Sequence, residues 1–381
     1  MKNTWVLLLF LLLFVVAGCS EAIGAGSDQT VDAKDDEIKN HEREAPDVTG
    51  ENEEDKTAME EEQPDEKEDE PKSTVFSFTG DVLFEWSTKK TVADKGYEYP
   101  FEHVREYFEN DDFTFINLET PLTIRGEKEE KIYNFRSNPE AAKGLKHIGV
   151  DGAAMANNHI LDYGTQGLLD TMFALDQEGI SYIGAGENDT EAYQAFRTEI
   201  NGKTYAFLNF SHVLPYVEWY ALDSRPGVAS GYQWERAIEI IKQTKEQSDY
   251  VFVQMHWGIE KEIQFNEDQQ EYGRAMIDAG ADAVIGSHPH VMQGFEMYNG
   301  KLIAYSLGNF LFPDYVKEET AQTGVLQVAI NGDGELSYQI HPHLIKEDQI
   351  IPHPEAAGLK QRLMDRSYNV RINEKNEILP N

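Results

Sequence analysis

Short hydrophobic runs, rich in β-branched and aromatic residues, alternate with longer amphipathic segments over most of the chain. The hydrophobic runs predict strands at Thr74–Thr79, Phe113–Asn117, Gly152–Met155, Tyr182–Ile183, Tyr205–Phe210, Tyr250–Gln254, Ala283–Ile285 and Lys301–Tyr305. The amphipathic segments predict helices at Pro100–Glu109, Pro139–Ile148, Gln166–Gln177, Trp234–Gln247 and Asp268–Ala279. This alternation is typical of a layered α/β fold.

Two hairpin signals interrupt the alternation. Asn201-Gly202 separates two β-prone runs, and this dipeptide favours a two-residue turn between antiparallel strands. The stretch Asn331–Gly334 separates two more such runs. Antiparallel hairpins added to parallel units predict an α/β sandwich with mixed sheets. Within it, Thr165 is expected to cap the helix that begins at Gln166.

The first residues indicate export. The uncharged apolar run from Trp5 to Ala17 is too short to span a bilayer and has the length of a signal-peptide core. It ends in Val16-Ala17-Gly18-Cys19, which resembles a bacterial lipobox, so Cys19 is expected to carry a lipid anchor at the extracytoplasmic face of the cell membrane. The alternative is a plain N-terminal anchor with an incidental cysteine.

A strongly acidic tract follows. Residues 20–72 hold 21 acidic and 6 basic residues and no aromatic residue, so they predict a disordered tether between the membrane and the folded part. The alternative is a tract that gathers divalent cations or mimics an anionic polymer. The whole chain carries 33 Lys and Arg against 69 Asp and Glu. This balance argues against nucleic acid as a partner, because such binding depends on cationic contacts to phosphates.

Polar groups of the metal-ligand type follow several of the predicted strands. Because strand ends in α/β folds carry ligand sites, the groups are expected to converge on one polar site. Cys19 is the only cysteine, so any metal must be held by His, Asn, Asp and Glu. The candidates are Asp81, Glu119, Asn157, Asn158, His159, His256, His288 and His290.

Each candidate taken alone also has a purely structural interpretation. Asp81 fits a turn or helix cap. Asn157 and Asn158 fit a left-handed turn, and His159 fits a buried, hydrogen-bonded histidine. His256, beside Trp257, fits a ring that only packs under an aromatic side chain. The His288-Pro289-His290 sequence is harder to explain structurally, since one short loop presents two imidazoles. Lys128 and Arg136, in a loop that follows the second strand, are candidates for holding an anionic substrate or are simply solvated charges.

Six motifs in chain order resemble those of one family: GDVLF at 80–84, NLETPLT at 117–123, ANNHILDYG at 156–164, HWG at 256–258, GSHPHVMQG at 286–294 and SLGNF at 306–310. They resemble the bacterial capsule synthesis family, which is CapA-like and associated with poly-γ-glutamate. The domain of that family is similar to calcineurin-like metallophosphatases. The resemblance therefore implies a metallophosphatase-like layered α/β sandwich, preceded here by the acidic tether.

The resemblance also implies roles for the candidate residues. It implies that Asp81 and His290 bind a first divalent ion and that Glu119 bridges to a second. The remaining ligands of the second ion would be Asn158, His256 and His288. His159 would take the place of the phosphatase acid, with Asn157 orienting it. The implied ion is Mn, Zn or Fe.

Leu83 departs from the pattern, because metallophosphatases usually have a histidine two residues after the first aspartate. The first ion is therefore expected to be weak, leaving one tightly bound ion. Leu83 favours either a non-catalytic assembly or polymer-handling subunit of a membrane synthesis complex, or an enzyme with one metal ion. His159 favours a metal-dependent phosphoesterase-type hydrolase, since an acid at that place has no evident structural duty.

These observations give a domain plan and a set of partners. The plan is a lipoprotein signal peptide at 1–19, an acidic linker at 20–72, a CapA-like domain at 73–350, and a C-terminal helix and tail at 351–381. The resemblance implies membrane-bound polymer synthesis or export proteins as partners. An anionic polymer is a further candidate partner.

Overall fold

The computed structural model describes residues 72–381, so the predicted signal peptide, Cys19 and residues 20–71 of the predicted tether lie outside the described residues. Within this range the strands are β1 (Thr74–Val82), β2 (Phe113–Leu118), β3 (Gly152–Ala154), β4 (Ser181–Ile183), β5 (Ala185–Gly186), β6 (Phe196–Ile200), β7 (Lys203–Ser211), β8 (Gly227–Val228), β9 (Tyr250–His256), β10 (Ala283–Ser287), β11 (Phe295–Tyr298), β12 (Lys301–Ala304), β13 (Asn309–Leu311), β14 (Gln322–Ile330), β15 (Leu336–Lys346), β16 (Gln349–Pro352), β17 (Val370–Ile372) and β18 (Ile378–Pro380). The helices are α1 (Trp86–Lys95), α2 (Arg105–Glu109), α3 (Glu140–His147), α4 (Gly164–Gln177), α5 (Asp189–Ala192), α6 (Trp234–Lys245), α7 (Glu267–Asp278) and α8 (Ala356–Asp365). No helix among the described residues has the length and apolar character needed to cross a membrane.

Most of the strands form two mixed sheets. The first has the order β16-β15-β14-β1-β2-β3-β4, with β13 also paired to β1. Its strands β1 to β4 are parallel, whereas β14, β15 and β16 are antiparallel. The second sheet has the order β11-β12-β10-β9-β7-β6, with antiparallel strands only at its two edges. The layered α/β sandwich with mixed sheets is therefore confirmed, and so are both hairpins.

Phenylalanine side chains fill the space between the two sheets. Phe76 and Phe78 of β1 face Phe207 of β7 and Phe252 of β9, with ring centroids 5.4 Å apart for Phe76 and Phe207. Burial of large aromatic side chains is a major stabilising contribution. It also fixes the register of β1, because a shift of one residue would turn both rings to the opposite face.

Helices cover the outer faces of both sheets. Helices α1, α3 and α4 pack on the first sheet through side chains such as Leu145 and Leu168. Helices α6 and α7 pack on the second sheet through Ile241 and Met276. The resulting order of layers is helix, sheet, sheet, helix, which is the architecture that leaves the carboxyl ends of the parallel strands open at one edge.

Two local predictions were wrong. The helix predicted at Pro100–Glu109 is one 3-10 turn followed by the short α2, because the backbone leaves helical geometry at Val104 (φ −116°) while Val104 buries its side chain. Thr165 does not cap α4. The helix begins at Gly164, whose φ of 64° suits glycine, and this start places Thr165 inside the first turn.

The C-terminal part contains more structure than a helix and tail. Strand β16 runs across position 351, and β17 and β18 form a small hairpin after α8. Leu359 and Leu363 of α8 and Ile378 of β18 are buried in the apolar cluster between the sheets. The last 31 residues of the chain, as counted in the printed sequence, thus contribute to the same core as β1.

Candidate metal centre

The carboxyl ends of five parallel strands meet at one edge of the sandwich. Strands β1, β2 and β3 of the first sheet deliver Asp81, Glu119 and the loop that carries Asn158. Strands β9 and β10 of the second sheet deliver His256 and the loop that carries His288 and His290. Convergence across two sheets explains how residues more than 200 positions apart in sequence reach one another.

A glycine makes the close approach at β1 feasible. An added Cβ at Gly80 would lie 1.8 Å from the backbone oxygen of Gly308. The next residue, Asp81, donates its N–H to that same oxygen at 3.0 Å. Any larger side chain at Gly80 would displace Asp81 and the segment before β13 together.

The carboxylates and imidazoles lie within a few ångströms of one another. Oδ2 of Asp81 is 3.1 Å from Nδ1 of His290. The two oxygens of Glu119 lie between two histidines, with Oε1 3.5 Å from Nε2 of His256 and Oε2 3.8 Å from Nδ1 of His290. Asp81, Glu119 and His256 are completely buried. The structure thus brings these predicted ligands together in one place.

Asn158 and His288 complete the cluster on the side of the second sheet. Oδ1 of Asn158 lies 2.8 Å from Nε2 of His256, and Oγ of Ser287 lies 2.9 Å from Nδ1 of the same ring. The ring of His288 lies 4.8 Å from that of His256, measured between centroids. All six predicted metal ligands therefore line the same small volume.

Three of these side chains have buried polar atoms without a hydrogen-bond partner within residues 72–381. The atoms are Oδ2 of Asp81, both carboxylate oxygens of Glu119 and Nδ1 of His288. A buried polar group left unpaired costs roughly 1–3 kcal/mol, and more when it is charged. Divalent ions bound within the cluster would give these atoms a partner, so the residues present fit such a cation.

Three overlapping sets of side chains could hold such an ion. One set is Glu119, His256 and His288, another is Asp81, Glu119 and His290, and the third is Glu260, His288 and His290. In each set, one ligand atom per residue lies within 4.8 Å of the others. Imidazole nitrogens with carboxylate oxygens suit Zn, Mn and Fe.

Without a metal ion, the side chains of the cluster have strongly shifted pKa values. Burial, together with the nearby Asp81, raises the pKa of Glu119 well above its ordinary value. Burial lowers the pKa of His256 and His288, and the neighbouring imidazoles add to the effect. Burial also opposes protonation of His290, but Glu119 and Asp81 outweigh it and raise its pKa to about 10. A divalent ion would replace this single protonated imidazole as the positive charge between two carboxylates.

His159 is held in place by its surroundings. Its Nδ1 lies 2.7 Å from Oδ2 of Asp162, and its ring stacks on Phe135 at 4.2 Å between centroids. Nζ of Lys131 is 3.2 Å from the same Nδ1. Burial lowers the pKa of His159. The expectation that an acid here has no structural duty was wrong, because these contacts also tie the loop to Asp162.

Asn157 acts on His159 through the backbone. Its Oδ1 accepts the backbone N–H groups of His159 and Ile160 at 3.1 and 2.9 Å, and its Nδ2 donates to the backbone oxygen of Leu118 at 2.8 Å. The amide thereby fastens the loop after β3 to the end of β2. It fixes the backbone of His159, from which the imidazole projects.

Leu83 contributes no ligand atom. Its side chain is buried in an apolar cluster with Phe135, Phe312 and Val316. Its backbone N–H donates to the backbone oxygen of Leu311 at 2.8 Å, which pairs this segment with β13. Position 83 is therefore part of the hydrophobic packing and not of the candidate ligand set.

A cavity of about 700 Å³ opens above the cluster. His159 and His290 line its floor, and three partly exposed aromatic residues, Trp86, Tyr133 and Tyr315, line its walls. Neither Lys128 nor Arg136 is among the lining residues, and the guanidinium of Arg136 instead lies 4.3 Å from the ring centroid of Tyr163. The cations in the lining are Lys261 and Lys317.

Several residues of the site were not assigned a role from sequence. Asn117 donates to Oδ1 of Asp81 at 2.7 Å, and Asn309 lies 2.9 Å from Nδ1 of His290. Both stand within motifs quoted above, so their motif positions were the available signal. Asp162 also lies next to the site and likewise stands in a quoted motif. Lys131 and Glu260 surround the site as well, but nothing in the local sequence indicates that they meet it.

Comparison with known proteins gives consistent matches. The family described as "Bacterial capsule synthesis protein PGA_cap" matches residues 75–314. The chain is 33% identical over 293 residues to the PGA biosynthesis protein CapA of Bacillus subtilis (strain 168), covering 76% of each chain. It is 30% identical over 308 residues to the capsule biosynthesis protein CapA of Bacillus anthracis, covering 79% of this chain and 74% of that one. Among solved structures, a 5′-nucleotidase from Candida albicans SC5314 aligns with a TM-score of 0.40 at 11% identity, covering 70% of this chain and 51% of that one. All the candidate ligands lie within the range that the family matches.

Proposed function

The chain belongs to the bacterial capsule synthesis protein family, and from this premise we propose that it supports capsule or poly-γ-glutamate synthesis or export as a metal-dependent hydrolase. The bond it cleaves is a phosphoester or a related bond. The proposed role in capsule or poly-γ-glutamate synthesis is supported by two relatives that are named for capsule or PGA biosynthesis. The chemistry rests on the site itself.

One observation carries the hydrolase proposal. The carboxylate of Glu119 is completely buried between two imidazoles, and neither of its oxygens is hydrogen-bonded by any described residue. A carboxylate kept in that state is costly unless a cation pairs with it. A cation held beneath an open cavity is placed for catalysis rather than for purely structural support.

The ligand sets divide the site into two positions. Glu119, Asn158, His256 and His288 would hold one ion tightly, and Asp81 with His290 would share Glu119 toward a second position. Such an ion, when bound, polarises a phosphoryl oxygen and lowers the pKa of a bound water. The protein contributes a dry, preorganised ligand set, and Asn117 supports it by donating to Asp81.

His159 would act as the proton donor to the leaving alcohol. Asp162 lies against its Nδ1, and the ring lines the cavity, so the other nitrogen, Nε2, is the atom available to a substrate. Asp162 and Asn157 position the ring but do not touch the substrate. Since burial lowers the pKa of His159, an acid role requires turnover to fall as pH rises through that lowered pKa.

The proposal extends to location and partners. Cys19 would carry a lipid anchor, the tract at 20–72 would hold the folded domain away from the membrane, and the site would lie on the extracytoplasmic face. Membrane-bound synthesis or export proteins would be the partners there, with the anionic polymer itself as a further one. The domain within this plan is 73–350, followed by the C-terminal segment 351–381.

A second candidate function is favoured by Leu83. Its burial in the apolar cluster leaves the first position one ligand short of the usual metallophosphatase set. A site that binds one ion without turnover would suit an assembly or polymer-handling subunit of the synthesis complex. The two candidates differ in whether the metal-loaded protein releases phosphate.

The test uses the full chain in detergent, stripped with chelator and reloaded separately with Mn, Zn or Fe. A panel of phosphoesters is then assayed for phosphate release. We expect metal-dependent release in the wild type and none in His159→Asn, which can keep a donor toward Asp162 and should retain its metal. The control is His147→Asn, an exposed histidine on α3. A loaded protein that releases no phosphate from any substrate would favour the second candidate.

A further inference from the structure

A carboxylate from outside the expected ligand set lies beside the incomplete metal position. Glu260, in the loop after β9, has a carboxylate oxygen within 4.8 Å of a ring nitrogen of both His288 and His290. It also lines the cavity above them. His288 is nine-tenths buried and its Nδ1 has no hydrogen-bond partner in the described part of the chain. The group that Leu83 fails to supply thus has a nearby substitute.

The loop of Glu260 is fastened to the loop of the two histidines. The backbone N–H of Lys261 donates to the backbone oxygen of Pro289 at 2.8 Å. The side chain of Gln293 donates to the backbone oxygens of Glu262 and Gln264 at 2.9 and 3.2 Å. These bonds hold Glu260 at a fixed distance from His288 and His290, as a ligand requires.

Backbone strain is concentrated in the same two loops. Lys261, His288 and His290 have φ angles of 65°, 95° and 58°, in the left-handed region that disfavours residues with a side chain. Such a conformation is unfavourable and persists only where its surroundings enforce it. Three strained residues in two contacting loops indicate that the surrounding structure holds these loops in one fixed arrangement.

We propose that Glu260 is a metal ligand that compensates for the missing histidine: with His288 and His290 it forms the weaker metal position at the cavity, beside Asp81 and Glu119. The occupant is a divalent cation of the Mn, Zn or Fe class, and the inference rests on the metal site of the proposed function. Glu260 is exposed at the cavity, whereas Glu119 and His256 are fully buried. This position therefore holds the more weakly bound and more readily exchanged ion, next to one tightly bound ion.

Calorimetric titration of the chelator-stripped full chain with Mn²⁺ alone tests the proposal. The wild type should show a tight binding event and a second, weaker one. Glu260→Gln should weaken the second event by at least about tenfold, since even an outer-shell partner of a metal is typically worth 10–100-fold, and should leave the first unchanged. The control is Glu262→Gln, whose exposed side chain lies on the same loop and which should behave as the wild type.

The melting temperatures of the metal-free proteins show whether each variant is folded. If Glu260→Gln and the wild type give the same two binding events, the assignment is overturned. It is equally overturned if the wild type shows only the tight event and Glu260→Gln leaves it unchanged. The proposed function is tested separately, by measuring phosphate release from the wild type loaded with only the tight ion.

Discussion

Replacing Glu119 by glutamine should stabilise the metal-free protein and destabilise the metal-loaded protein. The substitution keeps the shape of the side chain but removes the charge that the buried pocket leaves unpaired. In the metal-free protein the loss of that charge is favourable. In the metal-loaded protein it removes a ligand shared by both positions.

The pH dependence of the metal-free protein follows from the raised pKa of Glu119. Its ordinary value is 4.5, and burial with the neighbouring Asp81 raises the pKa in the folded state. The folded state therefore binds the Glu119 proton more tightly than the unfolded state does. Stability from this group is fully present below pH 4.5 and is lost as pH rises through the raised pKa. Metal-free Glu119→Gln, which does not titrate, should match the wild type at low pH and exceed it at pH 7.5.

The metal-loaded protein should behave in the opposite way. An ion at about 100 times its dissociation constant stabilises the folded state by about 2.7 kcal/mol. At roughly 2 °C per kcal/mol, typical of the larger domains, this amounts to a Tm increase of about 5 °C. Glu119→Gln should lose most of that increase and fall below the wild type.

Differential scanning calorimetry of both proteins, at low pH and at pH 7.5, with chelator and with saturating Mn²⁺, measures all of these differences. Glu262→Gln, exposed and outside the expected ligand set, serves as the matched control and should follow the wild type in every condition. A wild-type Tm that does not respond to metal would refute the reasoning. So would a Glu119→Gln variant that keeps the full metal-induced increase.

Three further predictions concern other parts of the chain. Cys19→Ala should leave unlipidated precursor by mass spectrometry, and lipid that persists on this variant would contradict the anchor. Deleting residues 20–72 should leave the Tm unchanged, because their composition offers too little apolar surface to offset the entropy of ordering; a large drop would show that the tract packs on the domain. Burial raises the pKa of Asp111 from 3.8 to about 7, despite hydrogen bonds from Ser77 and Thr114. Its stabilising contribution should therefore be lost between those pH values, by at most about 4 kcal/mol at 1.36 per unit. Denaturation across that range should show Asp111→Asn flattening the loss, and an unchanged slope would count against the shift.

The parts of the fold that the sequence predicted are those with strong local patterns. Residues 113–117 and 250–254 are short, continuous and apolar, so the strands β2 and β9 were evident. The turn at Asn201-Gly202 was evident because asparagine and glycine tolerate the left-handed backbone. Their φ values are 51° for Asn201 and 73° for Gly202. Strand β13 was missed because it pairs with β1, far away in sequence. The C-terminal hairpin was missed because β17 and β18 are only three residues each, too short to show an alternating pattern.

The site was predictable to a similar degree. Metal-type ligands after strands indicated the positions of Asp81 and His256, since the carboxyl ends of neighbouring parallel strands share an edge. Glu260 was not predictable, because its proximity to His290 depends on hydrogen bonds between two loops. The buried ion pair of Lys131 with Asp162 was not predictable either, since the two residues belong to separate segments that meet only when the chain folds.

The most direct test of the metal site is the anomalous difference map of crystals grown from Mn²⁺-loaded protein. The strongest peak should lie among Glu119, Asn158, His256 and His288, at ligand distances of roughly 2.0–2.3 Å. A weaker peak should lie toward Asp81, His290 and Glu260. A well-ordered site without any peak, or a strongest peak bound by residues outside this cluster, would contradict the central claim.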